Sequence, residues 1–146
     1  MKQLDGADVA RRINEALPGT AVSWNATDVW IEPEDLLAVG GFLHDDPELD
    51  FATLRAVTAV DYVEYFELIY HLLSMRKNHC AVIKTRRFGR DEPAIDSVVG
   101  IWKGAELQER EVWDLMGIHF EGHPNLKRVL LWEGFPGHPL RKDFIR

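Results

Sequence analysis

The acidic side chains between residues 106 and 116 are the first candidates for chemistry in this sequence. If that segment is a helix, two stripes with four-residue spacing run along it. The stripes consist of Glu106, Arg110 and Asp114, and of Leu107, Glu111 and Leu115. A carboxylate between two leucines must find a cationic partner or stay protonated. Glu109, Glu111 and Asp114 could therefore act as general acids or bases with shifted pKa values.

A structural role for these acids is the stronger interpretation. Acid catalysis needs a cleft and a second group held in register with the first, and the sequence supplies neither. We expect Glu111 to bind an arginine of the C-terminal segment, such as Arg128 or Arg141, in a bidentate ion pair. Loss of the Glu111 carboxylate should then loosen that segment.

Two imidazoles and a carboxylate near the C-terminus also form a possible metal site: His119, Glu121 and His123. Such donors suit zinc or iron. However, the glycines and proline around them indicate irregular backbone, so the spacing defines no common face. We expect His123-Pro124 and His138-Pro139 to cap turns by hydrogen bonding, because proline excludes the preceding residue from the helical region. We therefore predict no metal site.

Composition limits the remaining function classes. The 146 residues fit one domain, and 46% hydrophobic with 28% charged residues is typical of a soluble globular protein. A net charge of −7 argues against general binding to nucleic acid or to an anionic membrane surface. We find no phosphate-binding glycine loop, serine elbow, dinucleotide fingerprint, membrane-spanning run or signal peptide. The residues alone predict a soluble, unprocessed, non-catalytic interaction protein.

Hydrophobic periodicity predicts the elements that position these residues. They are a helix at 7–17, strands at 21–24 and 29–31, a helix at 33–43, strands at 54–62, 64–75 and 80–87, and one kinked or two short helices within 95–116. Residues 64–75 match helical spacing almost as well as alternation, and we predict a strand. Asp96 and Ser97 are the candidate N-caps of the last helical region.

Residues 117–146 form a distinct part of the chain. They contain four glycines and three prolines, which predicts mostly irregular structure. They also contain many large apolar residues, too many for a free disordered tail. We therefore expect a domain over residues 1–116 and an extended tail over 117–146 that packs on its own domain and on neighbouring subunits.

Three segments in the last third of the chain match the pattern of one protein family. They are residues 97–105, SVVGIWKGA; residues 109–131, EREVWDLMGIHFEGHPNLKRVLL; and residues 137–144, GHPLRKDF. On these motifs the chain resembles the C-type subunit, also called the 30 kDa-type subunit, of proton-pumping NADH:quinone oxidoreductase, respiratory complex I. The resemblance implies an α+β fold with a mixed sheet, helices packed on it and an extended tail, in the element order that periodicity predicts.

The same resemblance implies a non-catalytic subunit of the peripheral arm. The parent complex moves electrons from NADH to quinone, coupled to proton translocation, and uses FMN and iron-sulfur clusters held by other subunits. This chain would bind no cofactor or metal. Its implied partners are subunits D, B and I, in a hetero-oligomer without nucleic acid. It would lie peripherally on the cytoplasmic side of the cell membrane, through membrane subunits and without inserting itself.

The resemblance also suggests which residues form interfaces. Four residues would hold the last helix to the tail: Glu109, Arg110, Glu111 and Asp114. Four others would fix the tail against the D-type subunit: Arg128, Arg141, Lys142 and Asp143. The rest of the expected structural set consists of His123, Pro124, His138, Pro139 and Leu140.

Two alternatives remain open. The motif does not identify the electron donor, so the equivalent subunit of a ferredoxin- or deazaflavin-dependent quinone oxidoreductase, or of a membrane-bound hydrogenase, fits as well. A second class is a stand-alone hydrolase or metalloenzyme that uses Glu109, Asp114 and the C-terminal histidines. Stoichiometric zinc or iron in the purified chain would favour that class.

Overall fold

The structure, a computed structural model, describes residues 1–144 and combines helices with a mixed β-sheet. The elements in chain order are β1 (Lys2–Gln3), α1 (Gly6–Ala16), β2 (Ala21–Trp24), β3 (Asp28–Ile31), a 3-10 turn (Pro33–Asp35), α2 (Leu36–Asp45), β4 (Thr53–Asp61), β5 (Tyr65–Ser74), β6 (His79–Phe88), β7 (Ala94–Asp96), α3 (Ala105–Met116) and β8 (His119–Glu121). The predicted α+β class and the predicted order of the main elements are confirmed.

Six strands form the main sheet in the order β2-β3-β6-β5-β4, and β1 also pairs with β6. The neighbours β1 and β3 run parallel to β6, whereas the other pairs are antiparallel. The ambiguous segment 64–75 is strand β5, as predicted. It lies between β4 and β6, and a strand with two neighbours in a sheet must satisfy its backbone hydrogen bonds on both sides.

The core lies between the helices and one face of this sheet. Alternate residues of β5 point into it, and all are almost fully buried: Phe66, Leu68, Tyr70 and Leu72. The apolar stripe of α1, with Val9 and Ile13, packs into the same core. The alternation in β5 is therefore the pattern expected for a strand with one face on the core.

The region 95–116 differs from the prediction. Ala94–Asp96 is a strand that pairs in parallel with β8, and the helix begins only at Ala105. Neither Asp96 nor Ser97 caps this helix, whose N-cap position is Gly104. Instead, Ser97 Oγ donates to one Glu109 carboxylate oxygen at 2.6 Å, and Val98 N–H donates to the other at 2.9 Å. The contact spans twelve residues, so no local pattern indicates it. Strand β8 was likewise not predicted within the tail.

Within residues 1–144, none of the helices combines the length and the apolar character needed to cross a lipid bilayer.

A close backbone approach at the start of α1 gives a test of the fold. A Cβ added to Gly6 would lie 2.1 Å from the backbone oxygen of Asn25, in the turn between β2 and β3. Gly6→Ala should lower the free energy of unfolding by about 1–3 kcal/mol, because backbone on both sides must move. Gly41→Ala, in α2 with open space around the added carbon, is the matched control and should stabilise by up to about 1 kcal/mol. Urea denaturation of both variants measures the difference, and equal stabilities would contradict this packing.

Candidate functional site

The carboxylate of Asp114, on the last turns of α3, is fully buried and binds the tail. Its Oδ1 accepts a hydrogen bond from Arg128 Nη1 at 2.7 Å. Its Oδ2 accepts three backbone N–H groups, from Val129 at 3.1 Å, Leu130 at 2.7 Å and Leu131 at 2.9 Å. The tail therefore turns around one buried charge, and that charge is compensated by a cation and by hydrogen bonds.

These contacts set the protonation state of Asp114. Burial alone would raise the pKa of its carboxyl group, but the Arg128 guanidinium and the three backbone donors outweigh burial and lower the pKa to about 2. The group is therefore ionised at neutral pH. A proton-transfer role would require a carboxylate that exchanges its proton near the working pH, which this environment opposes.

The tail also satisfies the free carbonyl groups at the C-terminal end of α3. The last four carbonyls of a helix have no partner within the helix. Here Asp114 O accepts from Arg128 Nη1 at 3.0 Å and from His138 Nδ1 at 2.9 Å. Leu115 O accepts from Leu140 N–H at 2.9 Å. The tail therefore supplies donors that the helix end lacks.

Gly117 allows His138 to reach this helix end. Its φ of +76° lies in the left-handed region, which favours glycine, and a Cβ there would lie 2.7 Å from the His138 ring. The His138 ring packs on Trp113, with ring centroids 4.8 Å apart. The His138 ring can therefore pack against the end of α3 only because residue 117 has no side chain.

Two arginines organise the tail further. Arg128 Nη2 donates to the carbonyls of Phe135 and Gly137, each at 2.8 Å. Arg110 donates to the carbonyls of Lys127 and Arg128, each at 3.2 Å. Arg110 and Asp114, both expected to hold the helix to the tail, are thus in direct contact with it.

A second ion cluster fastens the end of the tail to the β4–β5 hairpin. Asp61, at the end of β4, is buried and makes a bidentate pair with Arg90, at 2.7 and 2.8 Å. Lys142 N–H donates to Asp61 at 2.8 Å, and Asp143 binds Arg90 at 3.1 Å and Arg141 at 2.8 Å. Hydrogen bonding to Arg90 lowers the pKa of Asp61, and hydrogen bonding to Arg141 lowers the pKa of Asp143 to about 2.

This cluster could not be found in the sequence. Asp61 and Lys142 are 81 residues apart, and Arg90 lies in a loop whose charges gave no periodic signal. The guanidinium groups of Arg90 and Arg141 each lie 5.0 Å from the ring centre of Phe66, a core residue of β5. The three polar residues 141–143, expected to face another subunit, therefore make contacts with their own domain.

The other two acids of the motif have different positions. Glu109 is fully buried against Ser97 and Val98, in the loop before α3, so it holds that loop and not the tail. Burial raises the pKa of its carboxyl group more than these hydrogen bonds lower it. The expectation that Glu111 anchors an arginine is wrong for the described residues: its carboxylate forms no ion pair with any of them, and Asp114 binds Arg128 instead.

The histidines of the two His-Pro pairs are both hydrogen-bonded, but only His123 caps a turn, because His138 donates to Asp114 O at the end of α3. His123 Nδ1 accepts from Asn125 N–H at 2.9 Å, so its Nε2 must be the donor to Glu106 O at 2.8 Å. By contrast, His119 is exposed and lies 3.8 Å from Glu121. Over residues 1–144 no group of three or more potential ligands is arranged to hold a metal ion.

Comparisons with known proteins relate this chain to one protein family. The model of a family described as respiratory-chain NADH dehydrogenase, 30 Kd subunit, matches residues 29–146. The C-type subunit of NADH-quinone oxidoreductase from Roseiflexus sp. (strain RS-1) is 42% identical, and the match covers 96% of this chain and 84% of that protein. The same subunit from Azorhizobium caulinodans is 41% identical, with 94% and 67% covered.

Two solved structures share the fold. A chain of the membrane-bound sulfane sulfur reductase, an archaeal respiratory membrane complex, matches 95% of this chain and 85% of its own length, with a TM-score of 0.77 and 24% identity. The trypsin-resistant fragment of Nqo5 matches 68% of this chain and 83% of its own length, with a TM-score of 0.54 and 25% identity.

The contacts of Asp114 predict that loss of its charge releases the tail from the domain. Asp114→Asn removes the charge that Arg128 faces and places an amide donor among backbone donors, so docking of the tail should weaken by about 3 kcal/mol. Limited proteolysis should then cut residues 128–144 many times faster while the domain stays folded. Glu111→Gln, three residues earlier on the same helix, is the control and should be digested like the parent chain. Equal digestion of both variants would contradict the assignment.

The docking of the tail should also depend on pH. A carboxyl group whose pKa falls from 3.8 to about 2 on folding stabilises the folded state above pH 4, and this contribution is lost as the pH falls towards 2. The contribution of Asp114 is on the order of 2 kcal/mol. Asp143 should contribute less to stability than Asp114, because its side chain is half-exposed and water screens its ion pairs. Denaturation from pH 7 to 2 should show this loss, and Asp114→Asn should show a smaller one; identical pH profiles would refute the assignment.

Proposed function

Because the chain belongs to the family of the 30 kDa subunits of respiratory-chain NADH dehydrogenase, we propose that it positions other subunits in the peripheral arm of an NADH:quinone oxidoreductase and catalyses no step itself. The observation that supports this most is the way the tail is held. The backbone of the tail is fastened to the domain at Asp114 and at Asp61, yet large apolar side chains of the tail stay exposed. They are Leu130, Trp132 and Leu140, which are 59%, 64% and 60% exposed.

Such a surface is costly in an isolated protein. Exposed apolar side chains that are held in fixed positions are typical of protein interfaces, where large aromatic residues contribute much of the binding energy. The polar groups that could have done chemistry, including Asp114 and His138, are used instead to fix the tail. The tail, residues 117–146, would thus be an interface element of the domain formed by residues 1–116.

We further propose the following arrangement in the assembled complex. The outer side of the tail packs on the D-type subunit, near subunits B and I, while FMN, the iron-sulfur clusters and quinone belong to other chains. Electron transfer from NADH to quinone and proton translocation are properties of the whole complex. The chain lies on the cytoplasmic side of the membrane through these partners.

A second candidate differs in the electron donor or, for a hydrogenase, in the acceptor as well. The shared fold in the archaeal sulfane sulfur reductase supports the idea that this domain serves complexes with other electron chemistry. The chain would then be the equivalent subunit of a ferredoxin- or deazaflavin-dependent quinone oxidoreductase or of a membrane-bound hydrogenase. The donor and acceptor specificity of the purified complex separates these cases.

Affinity purification of the tagged chain at native expression tests the proposal. We expect co-elution of iron-sulfur proteins and of a large quinone-site subunit. Trp132→Glu should reduce co-elution at least tenfold, because a charge at the centre of an apolar interface costs several kcal/mol. Met75→Glu, in the turn after β5 and 74% exposed, is the matched control and should leave co-elution unchanged.

Three results would contradict the proposal. The first is a chain that elutes alone from membranes that contain the active complex. The second is that Trp132→Glu and Met75→Glu co-elute with the complex as well as the parent chain does. The third is stoichiometric zinc or iron in the chain purified by itself, together with hydrolytic turnover, which would favour the stand-alone enzyme.

A further inference from the structure

A short apolar groove lies between strand β4 and helix α3, away from the Asp114 carboxylate. One wall is the middle of β4, around Ala59, and the other is formed by Val112 and Leu115 of α3. Leu140 of the tail also lines the groove, and the volume is about 250 Å³. This is room for a few residues of extended chain but too little for a folded element.

The backbone of β4 is open towards this groove. Strand β4 is at the edge of the sheet and pairs only with β5 among the described strands. In an antiparallel pair every second residue directs its N–H and C=O away from its partner strand. Val57 N–H donates to a side chain of α3 and not to β5, so Val57 and Ala59 belong to this outward set.

Both ends of the open edge are already occupied. The side-chain amide of Gln108 mimics a peptide group: its Oε1 accepts Val57 N–H at 2.6 Å, and its Nε2 donates to Arg55 O at 3.4 Å. At the other end, the Asp61 side chain binds Lys142 N–H of the tail at 2.8 Å. Between these two contacts, Ala59 N–H and C=O form no hydrogen bond with any residue from 1 to 144.

Glu111 adds a charge to the wall of the groove. The other acids on α3 have partners: Asp114 binds Arg128 at 2.7 Å, Glu106 lies 3.8 Å from Arg110, and Glu109 accepts hydrogen bonds from Ser97 and Val98. Glu111 is half-buried and forms no ion pair with the described residues. A carboxylate beside apolar surface favours a cationic group from outside, since the pair forms where water is partly excluded.

We propose that this groove binds a short extended segment of a neighbouring subunit, which pairs its backbone with Ala59, places an apolar side chain against Leu115 and directs a lysine or arginine to Glu111. This is strand addition at a sheet edge, in which backbone hydrogen bonds give affinity and side-chain pockets give specificity. The inference rests on the proposed function, because the segment is taken to come from the same complex.

The groove is also linked to the docked tail. Leu140 lines the groove, and its N–H donates to Leu115 O at 2.9 Å. The Leu140 side chain is 60% exposed, so it is available to contact a bound segment. Gln108 would limit the bound segment to a residue pair or two, which prevents unlimited strand addition by other chains.

Amide hydrogen exchange tests the backbone contact. The full chain is measured alone and in the purified complex, with residue resolution. We expect the Ala59 amide to exchange at least about tenfold more slowly in the complex, because it gains a hydrogen bond. The Val57 amide is the internal control and should change little, since Gln108 already binds it.

Each other outcome overturns the groove proposal. An Ala59 amide that exchanges equally fast in a complex containing this chain rejects the groove and leaves the proposed function intact. Slow exchange in the isolated chain at every concentration would mean that the chain covers its own groove. Slow exchange that appears only at high concentration would mean that a second copy binds there. A chain that never co-elutes with a complex removes the proposed function and this inference together.

Substitutions test the side-chain contacts. Glu111→Lys should reduce co-elution at least about tenfold, whereas Glu64→Lys, the same charge change on the exposed β4–β5 hairpin, should not. Ala59→Pro removes the free donor at an edge position where proline is tolerated, and it should weaken assembly without unfolding the chain. If Glu111→Lys co-elutes as well as Glu64→Lys, no lysine or arginine of a partner binds Glu111, and the proposed segment does not occupy the groove.

Discussion

The structure of the C-terminal third depends on one buried charge, the Asp114 carboxylate. A carboxylate removed from water is costly unless a cation and several donors surround it. Here the tail supplies all of them, with Arg128 on one oxygen and the N–H groups of residues 129–131 on the other. The charge therefore requires a docked tail, and the tail requires the charge. The same contacts complete the end of α3, whose last carbonyls would otherwise lack partners.

This constraint explains how an irregular segment can present a fixed surface. Glycines and prolines rule out regular structure over most of the tail, so its shape must come from contacts with the domain. The Asp114 contacts fix one part and the Asp61–Arg90 cluster fixes the end, leaving Leu130 and Trp132 exposed between them. Under our proposal, another chain of the complex covers this surface.

The sequence predicts the fold well because the main sheet depends on local patterns. Alternation favours a strand at β5 only slightly over a helix, and proline with glycine ends α1 near its observed limit. The choice between Glu111 and Asp114 could not be made in this way. Both lie on helical stripes, and only the path of the tail, set by contacts 14 to 24 residues away, decides which stripe is buried under it. Strand β7 was missed for the same reason, since its partner β8 lies on the far side of α3.

The central claim is that Asp114 and Arg128 act as a pair to hold the tail on its domain. A double-mutant cycle with Asp114→Asn and Arg128→Gln, read from the exchange of the Leu131 amide, measures this most directly. A true pair predicts a coupling free energy of more than about 1 kcal/mol, because the second substitution costs little once the first has been made. Additive effects of the two substitutions would contradict the account.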